Sequence, residues 1–234
     1  MRNLIKIIKY YLLRQNGIFY PQLADSFYTY QQEKLRGSAN EIKKRQSIYL
    51  KYIKNVPKEV KSKNSFLDIG FGRGEFIELL KEEKLKNVEG VDINKKYVLD
   101  AKKKGYSVFQ DDALRYLYLS EKKFYGISAF HLIEHINFNQ LFDLMLVCSK
   151  KLVKGGVLIL ETPNVENIKV GANYFNLDYT HKLRLPSLLI KTLLEYLDFK
   201  KIEFLYLQPE KKQIKDDVER LLYGAQDLGV VAYK

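Results

Sequence analysis

A run at residues 65–76, Ser-Phe-Leu-Asp-Ile-Gly-Phe-Gly-Arg-Gly-Glu-Phe, leaves this chain few folds to adopt. Phe66, Leu67 and Ile69 suit a buried strand. Glycines at 70, 72 and 74 then tolerate positive φ and let backbone approach a ligand that a Cβ would displace. Ile77, Leu79 and Leu80 begin a helical pattern directly afterwards. Strand, glycine turn and helix N-terminus in that order aim backbone N–H groups at a polar ligand. The spacing is G-x-G-x-G and not the dinucleotide G-x-G-x-x-G, so the chain that follows decides the reading.

Val88 to Val91 is an apolar run ending in Asp92, where a ribose diol would meet a carboxylate. A third strand, Tyr106 to Gln110, ends in Asp111 and Asp112, and a fourth, Tyr125 to Phe130, ends in His-Leu-Ile-Glu-His at 131–135. From Ser65 the pattern reads strand 65–70, helix 74–84, strand 87–92, helix 94–104, strand 106–110, helix 112–119, strand 124–130. Parallel βαβ units account for it economically. A helix from about Phe138 to Leu152 is expected to stop at Gly155 and Gly156, ahead of strand 157–161. A helix near Pro186, strand 201–207, a helix over about 213–222 and strand 228–232 complete the alternation.

This succession resembles the class I S-adenosylmethionine (SAM)-dependent methyltransferases. The resemblance implies an α/β, Rossmann-like fold with a seven-stranded, mostly parallel sheet in the order 3-2-1-4-5-7-6, the last strand antiparallel. It implies that Asp68, Gly70, Gly72 and Gly74 line the aminoacyl end of SAM, that Asp92 takes the ribose hydroxyls, and that Asp112 faces the adenine amine. Arg36, Ile93, Ala113 and His131 join that cofactor set, and S-adenosylhomocysteine is the product.

The 234 residues suffice for one sizeable core, and the single Cys148 excludes an intramolecular disulfide framework, so the cytoplasm is the expected compartment. Cys148 shares a helical face with Leu141, Leu144 and Met145 and reads as a buried thiol. No apolar run approaches the roughly 20 residues of a bilayer span. The opening is too interrupted by Lys for a secretory signal. Leu4, Ile7, Ile8 and Tyr11 share a helical face near Lys6, Lys9 and Arg14, which suits packing on the catalytic domain or peripheral contact with the inner membrane face.

Of the net charge of +12, residues 1–63 carry a surplus of 10, from 14 Lys or Arg against 4 Asp or Glu. That surplus suits nucleic acid, anionic lipid, a phosphorylated glycan or a solvated lysine-rich face. Residues 1–63 read as a basic helical cap, with Tyr20, Phe27, Tyr28 and Tyr30 ahead of a helix from about Ala39 to Lys54, where Ile42, Ile48, Tyr49 and Tyr52 are available to pack. Residues 64–234 read as the catalytic domain, with Pro57 near the boundary.

Four further segments narrow the match: Lys-Leu-Arg-Gly-Ser at 34–38, Glu-Thr-Pro-Asn-Val-Glu-Asn at 161–167, Tyr-Phe-Asn-Leu-Asp-Tyr-Thr-His at 174–181, and Leu-Tyr-Gly-Ala-Gln-Asp at 222–227. They resemble the methyltransferases of bacterial surface-polysaccharide (O-antigen) synthesis, including the methyltransferase domain of chain-terminating kinase-methyltransferases and domains fused to glycosyltransferases. The resemblance implies methylation of a sugar hydroxyl, or of a terminal sugar phosphate, on a glycan or its lipid-linked precursor, with glycosyltransferases as partners. Tyr179 stands where that family more often has proline, and the proline that follows is delayed to Pro186. With nothing after the seventh strand, methylation alone is expected.

All three histidines, His131, His135 and His181, fall in segments expected at the crevice mouth. Residues 131–135 also match the H-x-x-E-H pattern of a class of zinc peptidases, but that chemistry needs the motif on a helix, and here it straddles a strand end. One histidine as general base, with Tyr174 and Tyr179 walling off water, is one option. A divalent metal on Glu134, His135 and His181 is another, by resemblance to small-RNA 2′-O-methyltransferases, which carry E-x-x-E-H after strand four and a later His; His131 replaces their first Glu. In a third, Glu134 and His135 only cap or pack. Metal-free catalysis is the expectation, with RNA as the runner-up acceptor and a small-molecule O-methyltransferase as a further alternative.

Overall fold

The computed structural model describes residues 37–211 and 213–234, together with Ile5, Phe27, Tyr30, Gln31 and Lys34. The amphipathic opening, Arg36 and most of the tyrosine-rich stretch lie outside the described residues. Two compact units divide the chain, Met1–Ile42 and Lys43–Lys234. In the first, Ser38 Oγ accepts the Glu41 N–H at 3.3 Å while Glu41 Oε2 accepts the Ser38 N–H at 2.9 Å. That reciprocal cap starts α1 (Ala39–Gln46).

In the second unit, α1 continues through a 3-10 turn (Ser47–Tyr49) into α2 (Leu50–Lys54), so the expected helix forms with one tightened turn. Tyr49, Tyr52 and Ile53 are buried, while Ile48 turns outward. Tyr49 and Ile53 share a core with Phe66, Phe76, Tyr125 and Phe130 of the sheet domain, which is why the boundary between units falls at 42/43 and not near 63.

After α3 (Lys58–Lys63) come β1 (Ser65–Ile69), α4 (Glu75–Glu82), β2 (Val88–Asp92), α5 (Lys95–Lys103), β3 (Ser107–Gln110), α6 (Ala113–Leu119) and β4 (Phe124–Phe130). There follow α7 (Phe138–Lys151), β5 (Leu152–Pro163), α8 (Ile168–Ala172), α9 (Ser187–Tyr196), β6 (Lys200–Leu207), α10 (Asp217–Tyr223) and β7 (Asp227–Tyr233). The strands form one sheet in the expected order, β3-β2-β1-β4-β5-β7-β6, with β7 antiparallel to β5 and β6 and the other pairings parallel.

Strand alternation produces two core layers. Leu67, Ile69, Ile127, Leu158 and Leu160 pack with Leu144, Cys148 and Leu194 of α7 and α9. Phe66, Tyr125, Val157 and Ile159 pack with Ile53, Ile77 and Val98 of α2, α4 and α5. In this second layer Phe66 meets Phe76 and Tyr125 edge-on, and Phe76 meets Phe130, with centroids 5.9, 5.6 and 4.7 Å apart. Each such pair contributes about 0.5–1.5 kcal/mol beyond the area it buries.

Two boundaries differ from expectation. Helix α7 ends at Lys151 because Leu152 is already extended (φ −68°, ψ 138°). Gly155 and Gly156 lie inside β5, where pairing with β4 jumps from Phe124↔Leu152 to Gly126↔Val157, so they accommodate a bulge and do not stop the helix. Helix α10 starts only at Asp217, where Asp216 caps it by accepting the Glu219 N–H at 2.7 Å. Among the described residues, no helix is long and apolar enough to cross a membrane.

Candidate active site

The carboxyl ends of β1, β2 and β4 meet around the glycine turn. Gly70, Gly72 and Gly74 take φ of 64°, 56° and 84°, and a Cβ at Gly70 would lie 2.2 Å from Leu132 Cδ1, so the turn closes on the segment after β4. Asp68 is buried and its Oδ1 accepts from Ser128 Oγ at 2.6 Å, tying β1 to β4. Asp92 Oδ2 accepts the Gly72 N–H at 2.9 Å and Oδ1 the Asn94 N–H at 2.7 Å. Beside it Ile93 is 73% exposed. Asp112 caps α6, its Oδ1 accepting the Arg115 N–H at 2.9 Å, and Ala113 is half-buried behind it.

His131 leaves β4 with φ 47°, a conformation uncommon outside glycine. Its backbone N–H donates to the Glu161 carbonyl at 2.8 Å. Ring Nδ1 is 3.3 Å from Glu134 Oε1, and Nε2 is 3.3 Å from Glu161 Oε1 and 3.8 Å from Asp227 Oδ1. Burial opposes charge on this ring, but Glu134, Glu161 and Asp227 outweigh it and hold the imidazole pKa well above its ordinary value. Both ring nitrogens are turned to carboxylates, an arrangement that favours the protonated ring.

Glu161 is held from its other side by Tyr49, whose hydroxyl donates to Oε2 at 2.5 Å. Burial, with the Glu161 charge behind it, pushes the Tyr49 phenol up, so it stays a donor. Gly229 makes the room, since a Cβ there would stand 2.4 Å from the Tyr49 hydroxyl.

His135 and His181 face each other with ring centroids 4.7 Å apart. Thr180 Oγ1 gives its only hydrogen to Asp178 Oδ1 at 2.6 Å, so at 2.8 Å it accepts from His135 Nδ1. The Phe175 carbonyl can only accept, so His181 Nδ1 donates to it at 2.7 Å. In neutral rings both Nε2 atoms therefore carry lone pairs. Burial, helped by His181 and opposed by Glu134, lowers the His135 pKa and keeps that ring neutral.

Glu134 is wholly buried in the 3-10 turn Ile133–His135. Its Oε2 accepts from Thr162 Oγ1 at 3.1 Å, while Oε1 makes no aligned hydrogen bond. Burial would raise its pKa, but His131 outweighs that and lowers it. One ligating atom each from Glu134, His135 and His181 lies within 4.8 Å of the others. One divalent ion spans such a gap with bonds of about 2.0–2.4 Å, and the mixed imidazole and carboxylate set suits it. The peptidase arrangement is absent because residues 131–135 sit on a strand end and a 3-10 turn.

A family model for methyltransferase domains matches residues 42–203. A solved SAM-dependent methyltransferase from Archaeoglobus fulgidus is 30% identical, with 89% of this chain and 100% of that chain covered and a TM-score of 0.77. The chain belongs to the SAM-dependent methyltransferases. Two more distant structures agree in fold. The methyltransferase domain of a bacterial CtHen1 is 19% identical over 84% of this chain and 100% of that one, with TM-score 0.59. Haemonchus contortus phosphoethanolamine N-methyltransferase 2, solved with phosphomonomethylethanolamine and S-adenosylhomocysteine, is 16% identical over 80% of this chain and 52% of that one, with TM-score 0.61. No curated protein matches the chain.

In this methyltransferase the Cβ-free turn, the Asp92 carboxylate bound to it and the exposed Ile93 stand together at the carboxyl ends of β1 and β2. Two of the sequence segments singled out above prove to be hydrogen-bonded partners. The Asn164 N–H donates to the Gln226 carbonyl at 2.7 Å, Asn164 Nδ2 to Ala225 O at 2.9 Å, and Asn167 Nδ2 to Gly224 O at 3.2 Å. Tyr179 is 56% exposed. Tyr174 does not wall the histidines, because its hydroxyl turns to Glu210 at 3.4 Å and its ring lies under Lys169. Phe175 takes that place, its ring 4.6 Å from that of His181.

Sequence reasoning missed Glu161, Asp227 and Tyr49. Both acids stand at strand ends inside the singled-out segments, a usable signal, but the pairing Pro163↔Asp227 that places Asp227 beside His131 is a tertiary fact. The sequence marks Tyr49 only as a residue available to pack, not as the partner of an acid.

Proposed function

We propose that this methyltransferase moves the methyl of SAM to a hydroxyl of a surface polysaccharide or of its lipid-linked precursor. The observation that supports it most is the acid and histidine cluster at the carboxyl ends of β4 and β5, next to the glycine turn. A hydroxyl is a poor nucleophile unless its proton leaves as the C–O bond forms, and this cluster offers acceptors for it. Three carboxylates around one imidazolium also suit a neutral hydroxyl better than a sugar phosphate.

Asp68, Gly70, Gly72, Gly74, Asp92, Ile93, Asp112 and Ala113 hold SAM in this reading; SAM supplies an electrophilic methyl. The glycan assignment draws on the resemblance at 161–167, 174–181 and 222–227. Two of these segments are bonded to each other, and the third carries His181. A lipid-linked acceptor puts the enzyme at the inner membrane face, with glycosyltransferases as partners.

A metal-assisted RNA 2′-O-methyltransferase is the second reading. The buried Glu134 Oε1 without an aligned donor, set against the lone pairs of His135 and His181, favours it. A divalent ion there would lower the acceptor hydroxyl's pKa. Labelled-methyl transfer into a lipid-linked oligosaccharide fraction and into total RNA, each with and without EDTA, tests both. Label in the oligosaccharide supports the first reading. Label in RNA alone, abolished by EDTA and restored by Mn²⁺, would establish the second.

A further inference from the structure

We propose that Asp227 is the base that receives the acceptor's hydroxyl proton, and that Tyr49, Glu161 and His131 position it; this rests on the O-methylation reading above. Asp227 is the first residue of β7. Because β7 runs antiparallel, that start lies beside Pro163 at the carboxyl end of β5, where an open α/β sheet presents its ligand crevice.

The groups around Asp227 divide by what they have left to offer. Glu161 is buried, with Oε2 taken by Tyr49 and Oε1 turned to His131. Glu134 is buried entirely. His131 has both nitrogens turned to carboxylates. His135 and His181 turn Nδ1 to Thr180 and to the Phe175 carbonyl, and each has a ring nitrogen grouped with a Glu134 oxygen within 4.8 Å. Asp227 alone among the three acids around His131 keeps appreciable exposure, 18% of its side chain, and its closest charged partner is His131 Nε2 at 3.8 Å.

Its surroundings set its basicity. Burial, Glu161 and Glu134 work against the pull of His131 and Arg45, and the Asp227 carboxyl is pushed up to about 6. It is therefore ionised at neutral pH yet nearer to the operating pH than an ordinary aspartate, which is where a general base works best. The aspartate is also held in place. Gly229 admits the Tyr49 hydroxyl, Tyr49 fixes Glu161, and Glu161 fixes the imidazolium beside Asp227. In the step itself, an acceptor oxygen lone pair forms the bond to the methyl carbon and the carbon–sulfur pair stays on sulfur, leaving S-adenosylhomocysteine. The hydroxyl proton passes to Asp227, which becomes neutral.

The test uses the full chain, labelled SAM and a lipid-linked oligosaccharide fraction, between pH 5 and 9. Wild-type turnover should rise with pH through about 6. Asp227→Asn should lower kcat by about 100-fold or more and lose that acidic limb, with S-adenosylhomocysteine affinity changed less than about threefold. Tyr49→Phe should lower kcat less and displace the limb, a readout that loss of packing alone would not produce. Asp227→Asn turnover within threefold of wild type overturns the assignment, as does an acidic limb that persists there but vanishes in His135→Ala. Should neither oligosaccharide nor RNA accept methyl, the functional reading fails and the carboxyl titration still decides Asp227. In ¹³C NMR of carboxyl-labelled protein, the signal missing from Asp227→Asn, or from Asp227→Glu if the amide does not fold, should titrate near 6. A midpoint near 4 overturns the proposal.

Discussion

Asp92 Oδ2 accepts the Gly72 backbone N–H at 2.9 Å, so the acid that ends β2 and the turn that follows β1 form one unit before any ligand arrives. Hydrogen bonds to a charged group contribute about 1.5–3 kcal/mol. Asp92→Ala loosens the turn and removes the carboxylate proposed to accept from ribose, and should weaken S-adenosylhomocysteine about 10–100-fold by calorimetry. An unchanged dissociation constant would remove Asp92 from the cofactor site.

Gly70→Ala should be costly twice over, since φ is 64° and the new methyl would meet Leu132 Cδ1 at 2.2 Å. A loss of about 1–3 kcal/mol is expected, or a Tm fall of about 2–4 °C per kcal/mol for a chain of this size. The double variant with Leu132→Ala should recover the steric part and not the dihedral part. Equal Tm values for wild type and Gly70→Ala would contradict the geometry.

The Glu134, His135 and His181 constellation predicts a thermal response to divalent ions. At 100 times its dissociation constant a ligand adds about 2.7 kcal/mol to stability. In the metal-assisted reading, millimolar Mn²⁺ should raise the wild-type Tm after EDTA treatment, and His181→Ala should lose the rise. The same rise in both proteins places any bound ion elsewhere.

Cys148 is fully buried on α7, and burial pushes its thiol up to about 12. At pH 8 the folded protein should leave a thiol-specific disulfide reagent unreacted, with labelling only as fast as global unfolding and complete in denaturant. Rapid stoichiometric labelling of native protein would show that α7 does not pack as described.

Sequence by itself determined the succession of strands and helices, and the resemblance it carries implied their order in the sheet. Period-two apolar strands, the glycine turn at 70–74 and acids at successive strand ends are local patterns, and the seven strands appear in the expected order. The acids Asp92 and Asp112 were legible for the same reason, because each lies within two residues of a strand end. Helix ends were legible only where a cap marks them. Asn137, whose side chain accepts from Gln140 at the start of α7, is such a signal, whereas the glycines at 155–156 belong to a bulge in β5 that only the β4 pairing reveals.

The chemistry of the histidines was decided by tertiary structure. A ring's protonation depends on the charges within a few ångströms, and those of His131 come from residues 134, 161 and 227, brought together by the antiparallel entry of β7 beside β5. The same packing put Tyr49, from a helix ahead of the first strand, against Glu161. Spacing along a chain carries no record of such encounters, because the field at a side chain depends on distance in space.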